Sequence, residues 1–251
     1  MNKTIINELI TNDYSTRESY KSLRTNFLFC GEDNKTILIT SSVKGEGKST
    51  VSVELAKSLA IADKKVLLID ADLRKSVYST IYTTPSQDIV GLSEYLSGQT
   101  SFENILYSTQ YDNLSLIYAG AIPPNPVELL GSAKFEALIK DSREKYDFVI
   151  IDAAPLGAVI DAAAIAAFCD GAIMVIAANE IRTRLAQDVK EQIEKSKCKV
   201  LGVVLNKIPM KVGSYYDNYY RKYYGRGKNS KRGFGHYGAY GYGEDTLKKK
   251  K

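Results

Sequence analysis

Histidine is almost absent from this chain of 251 residues: its one example, His236, lies in a Gly/Tyr-rich stretch near the C-terminus. A histidine-based catalytic core is therefore excluded for the body of the chain. Cysteine is scarce as well. Cys30, Cys169 and Cys198 are odd in number and form no C-x-x-C, which argues against a disulfide framework or a zinc site. They read as free thiols in or near apolar segments. No run approaches the roughly 18–20 apolar residues that span a bilayer. The N-terminal MNKTIINELITNDYSTRES also lacks the long apolar core of a signal peptide. The expected location is the cytoplasm, with any membrane contact made through the C-terminal tail or a partner. No internal repeat is present.

What the chain does have is enough apolar residue, 44% of the total, to bury a substantial core. Its net charge of +5 hides an asymmetry. From Lys211 onward there are eleven of the 34 Lys/Arg against three of the 29 Asp/Glu, giving +8 for the tail and −3 for the body. Nine of the 18 tyrosines share that tail: Tyr215, Tyr216, Tyr219, Tyr220, Tyr223, Tyr224, Tyr237, Tyr240 and Tyr242. Charge and aromatic enrichment without apolar periodicity reads as a disordered interaction arm.

Before the tail, helical and extended patterns alternate. A helix is expected from Thr16, where Tyr20, Leu23, Phe27 and Leu28 share a face, after a polar, extended segment 1–15. Strands are expected at 36–42, 66–72, 114–120, 148–155, 172–179 and 200–209. Helices fall between them, at 50–63, 92–98, 102–107, 133–145, 161–171 and 184–197. Near-continuous apolar strands alternating with helices predict an α/β fold, a mostly parallel central sheet with helices on both faces. The domain assignment is an extension at 1–15, a P-loop domain at 16–210 and a disordered tail at 211–251.

The turn after the first long strand reads SSVKGEGKST, residues 41–50. Gly45, Gly47, Lys48 and Ser49 match the second half of the phosphate-binding loop G-x-x-x-x-G-K-[ST], with Ser42 in place of its first glycine. Glycines let backbone amides wrap phosphate oxygens, and the next helix aims its N-terminus at them. Gly45, Glu46, Gly47, Lys48, Ser49 and Thr50 are the expected nucleotide contacts. Lys48 is assigned to the β- and γ-phosphates, Ser49 to Mg²⁺ and Thr50 to the α-phosphate. VLLIDAD places Asp70 and Asp72 two residues apart at a strand end, on one side of it. FVIIDAAP places Asp152 in the Walker-B position. One aspartate after a strand is more often a cap or a solvated turn residue. Three at the carboxyl ends of strands, in order after a P-loop, point to a nucleotide site.

These segments are similar to those of the bacterial tyrosine kinases of capsule and exopolysaccharide synthesis. The resemblance is carried by GEGKS (45–49), LLIDADLR (67–74), VIIDAAP (149–155), GAIPPNPVELLGS (120–132) and the C-terminal tyrosine cluster, and it runs from about residue 14 to the end. It implies a P-loop NTPase fold and ATP-dependent autophosphorylation of the nine tail tyrosines, with Asp70 and Asp152 joining Ser49 at Mg²⁺. Lys48, Asp70, Asp72 and Asp152 are the implied catalytic set. Asp70 or Asp72 takes the phenol proton, with the resemblance favouring Asp70. Arg74 steadies the acidic pair or a neighbour. Asn206 either meets adenine, as in related P-loop ATPases, or caps its strand. The family's E-x-x-R-x-x-R helix, linked to ring-like homo-oligomers, corresponds here to Glu18, Lys21 and Arg24. Lysine at the middle position keeps the charge but loses the planar fork. The resemblance also implies a membrane adaptor that activates the chain and holds it at the inner face of the membrane, a cognate tyrosine phosphatase, and no specific nucleic acid.

Two other readings compete. Partitioning and division-site ATPases share the P-loop, but their signature lysine would stand at Val43. A binder of single-stranded nucleic acid or anionic lipid would use the basic, aromatic tail. Lys248 to Lys251 serve equally as a solubilising end.

Overall fold

The computed structural model describes residues 2–7, 14–31, 33–78, 82–83 and 89–208. The tail, with all nine of its tyrosines, lies outside the described residues.

Three strands form the centre: β3 (Thr36–Ser41), β4 (Val66–Ala71) and β8 (Phe148–Ala153). Every residue of all three is buried, as expected of parallel strands covered on both faces. β9 (Gly171–Ala177) and β10 (Lys199–Asn206) extend the sheet on one side, and β7 (Leu114–Ile117), β6 (Tyr107–Ser108) and β1 (Asn2–Lys3) on the other. The order is β1-β6-β7-β4-β8-β3-β9-β10, parallel throughout except for the β6–β7 pair. β2 (Ile5–Ile6) pairs antiparallel with β5 (Tyr82–Thr83) in a separate two-stranded sheet.

The first residues are thus more than an extension. Asn2–Lys3 complete one edge of the main sheet, and Thr4 is buried with its hydroxyl 2.6 Å from that of Tyr118. The first helix, α1 (Tyr14–Leu28), begins two residues before the expected Thr16, within the usual fraying of helix ends. Among the described residues, α2 (Lys48–Ile61) is followed by three short helices, α3 (Leu92–Leu96), α4 (Phe102–Ile105) and α5 (Pro126–Leu130), and then by the longer α6 (Ala133–Lys145).

The two faces of the sheet carry two cores. Leu67, Ile69, Val149 and Ile151 face one, with Phe135, Leu138 and Ile139 of α6. Val66, Leu68, Phe148 and Ile150 face the other, with α2, whose Val51, Leu55 and Leu59 are almost fully buried. The strand period of two extends this division to the carboxylates. Asp70 shares the parity of Val66 and Leu68, and Asp152 that of Phe148 and Ile150. Both carboxylates therefore leave the sheet on the α2 face, and the two residues are direct register partners across β4 and β8.

Candidate active site

The P-loop is built from a glycine cap and a buried carboxylate. Gly47 caps α2 with φ 89°, and Gly45 has φ 91°, both in the left-handed region that glycine adopts without strain. A Cβ on Gly47 would also fall 2.2 Å from the Asn206 side-chain amide. Helix α2 starts at Lys48, two residues earlier than its apolar pattern indicates, so Lys48, Ser49 and Thr50 all sit in its first turn. Glu46 is fully buried. One of its oxygens accepts the Ser42 and Val43 amides, at 2.7 and 2.8 Å, and the other the Ala177 amide at 3.2 Å. Its carboxylate is a staple inside the loop, so any phosphate contact at this position belongs to its backbone. Asn206, at the end of β10, donates from Nδ2 to the Glu46 carbonyl at 2.9 Å. Its amide nitrogen thus braces the loop, a role that neither an adenine contact nor a strand cap anticipated.

Facing the P-loop are the three aspartates. The Lys48 ammonium lies 3.1 Å from Asp72 Oδ2 and 3.4 Å from Asp152 Oδ1. Burial works against its charge, but Asp152, Asp72 and Asp70 outweigh that and raise its pKa. Asp70 is fully buried, accepts the Asp72 amide at 3.2 Å, and takes a hydrogen bond from the Ser76 hydroxyl. Burial, and then the neighbouring Asp152 carboxylate, push Asp70 up to about 8. Burial likewise raises Asp152, against the pull of Lys48. Asp72 accepts the Lys75 amide at 3.0 Å. Arg74 reaches the fully buried Asp161 with a two-pronged bond, Nε at 2.6 Å and Nη2 at 3.0 Å. Of the two roles open to Arg74, the structure thus shows the neighbour's.

Even with Asp70 holding its proton, the Asp72 and Asp152 carboxylates against one Lys48 ammonium leave surplus negative charge. Asp152 Oδ2 is buried without a hydrogen-bond partner, an orphan acceptor of the kind that normally has a partner or an ion. The site therefore fits a divalent cation. Among the described residues no group of three acidic, histidine or cysteine side chains is arranged to hold a metal by itself.

Comparison with known proteins decides the family. A family model described as an AAA domain matches residues 34–206. A tyrosine-protein kinase, CpsD of Streptococcus agalactiae, is 42% identical over 217 residues, covering 86% of this chain and 94% of that protein. The chain belongs to the bacterial tyrosine-protein kinase family. The kinase domain of the Escherichia coli tyrosine kinase ETK superposes with a TM-score of 0.72 at 31% identity, covering 80% of each chain. The cell-division ATPase MinD of Pyrococcus furiosus shares the fold at a TM-score of 0.58 and 28% identity, covering 70% of this chain and 73% of that one.

In this kinase-family chain the predicted residues Gly45 to Thr50, Asp70, Asp72, Asp152 and Asn206 converge on one site. Glu18, Lys21 and Arg24 do not join it. Lys21 pairs with Glu18 at 2.7 Å along α1, and Arg24 donates to the Ser58 carbonyl at 2.8 Å, tying α1 to α2. Two contributors carry no signal in the sequence. Ser76 follows the D-x-D-x-R segment with nothing to mark it. Asp161 opens the short helix α7 (Asp161–Ala166), where an aspartate is most simply a cap. No helix among the described residues is long and apolar enough to cross a membrane.

Proposed function

We propose that this kinase transfers the γ-phosphate of ATP to tyrosines of its own C-terminal tail, Tyr215, Tyr216, Tyr219, Tyr220, Tyr223, Tyr224, Tyr237, Tyr240 and Tyr242, and thereby regulates capsule or exopolysaccharide synthesis and export. The single observation that carries the reading is the Lys48–Asp72–Asp152 cluster with Asp70 beside it, at the mouth of a P-loop in a chain of this family. Backbone amides of residues 45–50 and Lys48 hold the phosphates. Ser49, Asp70 and Asp152 would hold Mg²⁺, which supplies charge neutralisation on the transferring phosphoryl group. The phenol oxygen forms the new P–O bond, the bond to the β-phosphate oxygen breaks, and ADP leaves.

The phenol proton needs an acceptor in the same place. Asp70 and Asp72 both stand there, and a tyrosine of ordinary pKa about 10 requires orientation more than a strong base. A cavity of about 450 Å³ opens next to them, lined by Arg74, Lys75, Ser76, Tyr118 and Ile122. Its basic rim and apolar wall suit an incoming tyrosine flanked by tail residues.

Transfer to a neighbouring subunit in a ring-like homo-oligomer is the preferred route, with Glu18, Lys21 and Arg24 at the contact. Each phosphate adds about −1.5 to −2 charges. Four or five would cancel the tail's +8 and favour disassembly, and a cognate phosphatase would reset the cycle. A membrane adaptor would recruit and activate the chain. Replacing the nine tail tyrosines with Phe should remove most phosphotyrosine while leaving ATP binding intact; undiminished labelling would show that the acceptors lie elsewhere. Lys48→Met should abolish labelling, and persistence of it would take the P-loop out of the reaction. The division-ATPase alternative predicts ATP hydrolysis with no phosphotyrosine, and Val43 at its signature lysine position speaks against it.

A further inference from the structure

The Arg74–Asp161 pair closes a mechanical circuit around the site. Asp161 is fully buried, while the Arg74 side chain is 41% exposed at the rim of the cavity. A buried carboxylate is costly, and an apolar pair of equal volume would hold two loops together without that cost. What a two-pronged guanidinium bond adds is fixed direction.

The direction matters because the residues next to Arg74 hold the aspartates. The Lys75 amide bonds to Asp72, and the Ser76 hydroxyl bonds to Asp70 while accepting the Tyr78 amide at 3.1 Å. At the other end, Asp161 comes after a loop seated on the P-loop. The Leu156 amide donates to the Ser41 carbonyl at 2.9 Å, and Gly157 approaches so closely that a Cβ there would fall 2.1 Å from the Ser42 carbonyl oxygen. Lys48, bonded to Asp72, completes the circuit from the P-loop back to the turn. A shift of Arg74 would therefore move both candidate proton acceptors relative to the phosphate-binding loop.

We propose that Arg74 and Asp161 form a latch that positions Asp70 and Asp72 for phosphoryl transfer. Both are positioning residues, acting through Lys75 and Ser76 on one side and the 155–160 loop on the other. The latch rests on the kinase activity for its functional readout and on the nucleotide-free protein for its structural one.

The test uses the full-length chain as Arg74→Gln, Arg74→Lys, Asp161→Asn and the double variant Arg74→Gln/Asp161→Asn. Hydrogen exchange in nucleotide-free protein should quicken at residues 72–78 in both single neutral variants, while β4 and β8 stay protected. The initial rate of tyrosine labelling at saturating Mg–ATP should fall on the order of 10- to 100-fold. The apparent KM for ATP should stay within about threefold, because Arg74 and Asp161 bond to each other and not to the P-loop. The double variant should be no slower than the worse single one, and Arg74→Lys should recover part of the rate. Because Arg74→Gln strands a buried charge, Asp161→Asn and the double variant keep the outcome readable if that protein is unstable.

Unchanged labelling together with unchanged exchange at 72–78 would overturn the latch. So would additive losses in the double variant, or faster exchange spread over the whole sheet, which would make the pair fold glue only. If the wild-type protein forms no phosphotyrosine at all, the kinase reading fails, and local exchange at 72–78 alone then decides whether the latch exists.

Discussion

Asp70 makes the nucleotide-free protein pH-sensitive in a direction opposite to that of most carboxylates. Its folded-state pKa is raised from 3.8 to about 8 by burial and by Asp152. Between those two values the folded state binds more protons than the unfolded one, so stability falls as pH rises. Below about pH 4 the penalty is absent, and it grows until pH passes the folded value. The slope approaches about 1.4 kcal/mol per pH unit. From pH 5 to pH 7 the penalty therefore grows by at most about 3 kcal/mol. Asn is nearly isosteric and carries no charge, so Asp70→Asn should remove this slope while abolishing tyrosine labelling. Urea unfolding of both proteins, monitored by far-ultraviolet circular dichroism in buffer free of Mg²⁺ and nucleotide, reads the effect. With an m-value of about 2 kcal/mol per molar, the midpoint of Asp70→Asn should gain on the order of 1 M on wild type between pH 5 and pH 7. Adding Mg²⁺ and ATP should shrink the gap, since the cation stabilises the charged form in wild type only. Parallel midpoint curves would refute the claim that Asp70 carries its proton into the neutral range.

Three other substitutions probe particular contacts. Glu46→Gln places an amide donor against one of the backbone N–H groups the carboxylate now accepts, and should cost about 1–3 kcal/mol with a matching loss of ATP affinity by calorimetry. Gly157→Ala must push on the Ser42 backbone rather than on a flexible side chain, so thermal unfolding should show about 1–3 kcal/mol of destabilisation, again with weaker nucleotide binding. Asp170 offers the contrast. It accepts the Lys35 and Thr36 amides, at 2.9 and 2.7 Å, and pairs with Arg143, at the end of β3 remote from the P-loop. Asp170→Ala should destabilise by about 1–3 kcal/mol while the labelling rate per folded molecule stays unchanged.

The central strands were readable because burial on two faces demands near-continuous apolar runs, and residues 37–39, 66–69 and 148–151 supply them. Their neighbours' ends were less legible. The expected strand at 114–120 stops at Ile117, and the expected helix at 161–171 stops at Ala166, because adjoining loops rather than local propensity end them. The strand at 2–3, at the sheet edge, and its neighbour at 107–108 are two residues long and exist only by pairing with each other and with β7. No periodicity can announce an element that short.

The chemistry of the site divides in the same way. A glycine-rich turn between strand and helix, and aspartates closing two apolar runs, are local facts, so the P-loop and its three carboxylates were determined by the sequence alone. Whether a side chain touches a phosphate, braces a loop or orients a neighbour depends on what lies across the fold. Glu46 became a staple because Ala177 and the Ser42–Val43 turn present their amides to it. Asn206 became a brace because β10 ends against Gly47. Arg74 found Asp161, 87 residues away, because β4 and β8 lie side by side. Register between distant strands sets those meetings, and it is a property of the packed sheet that no short stretch of sequence encodes.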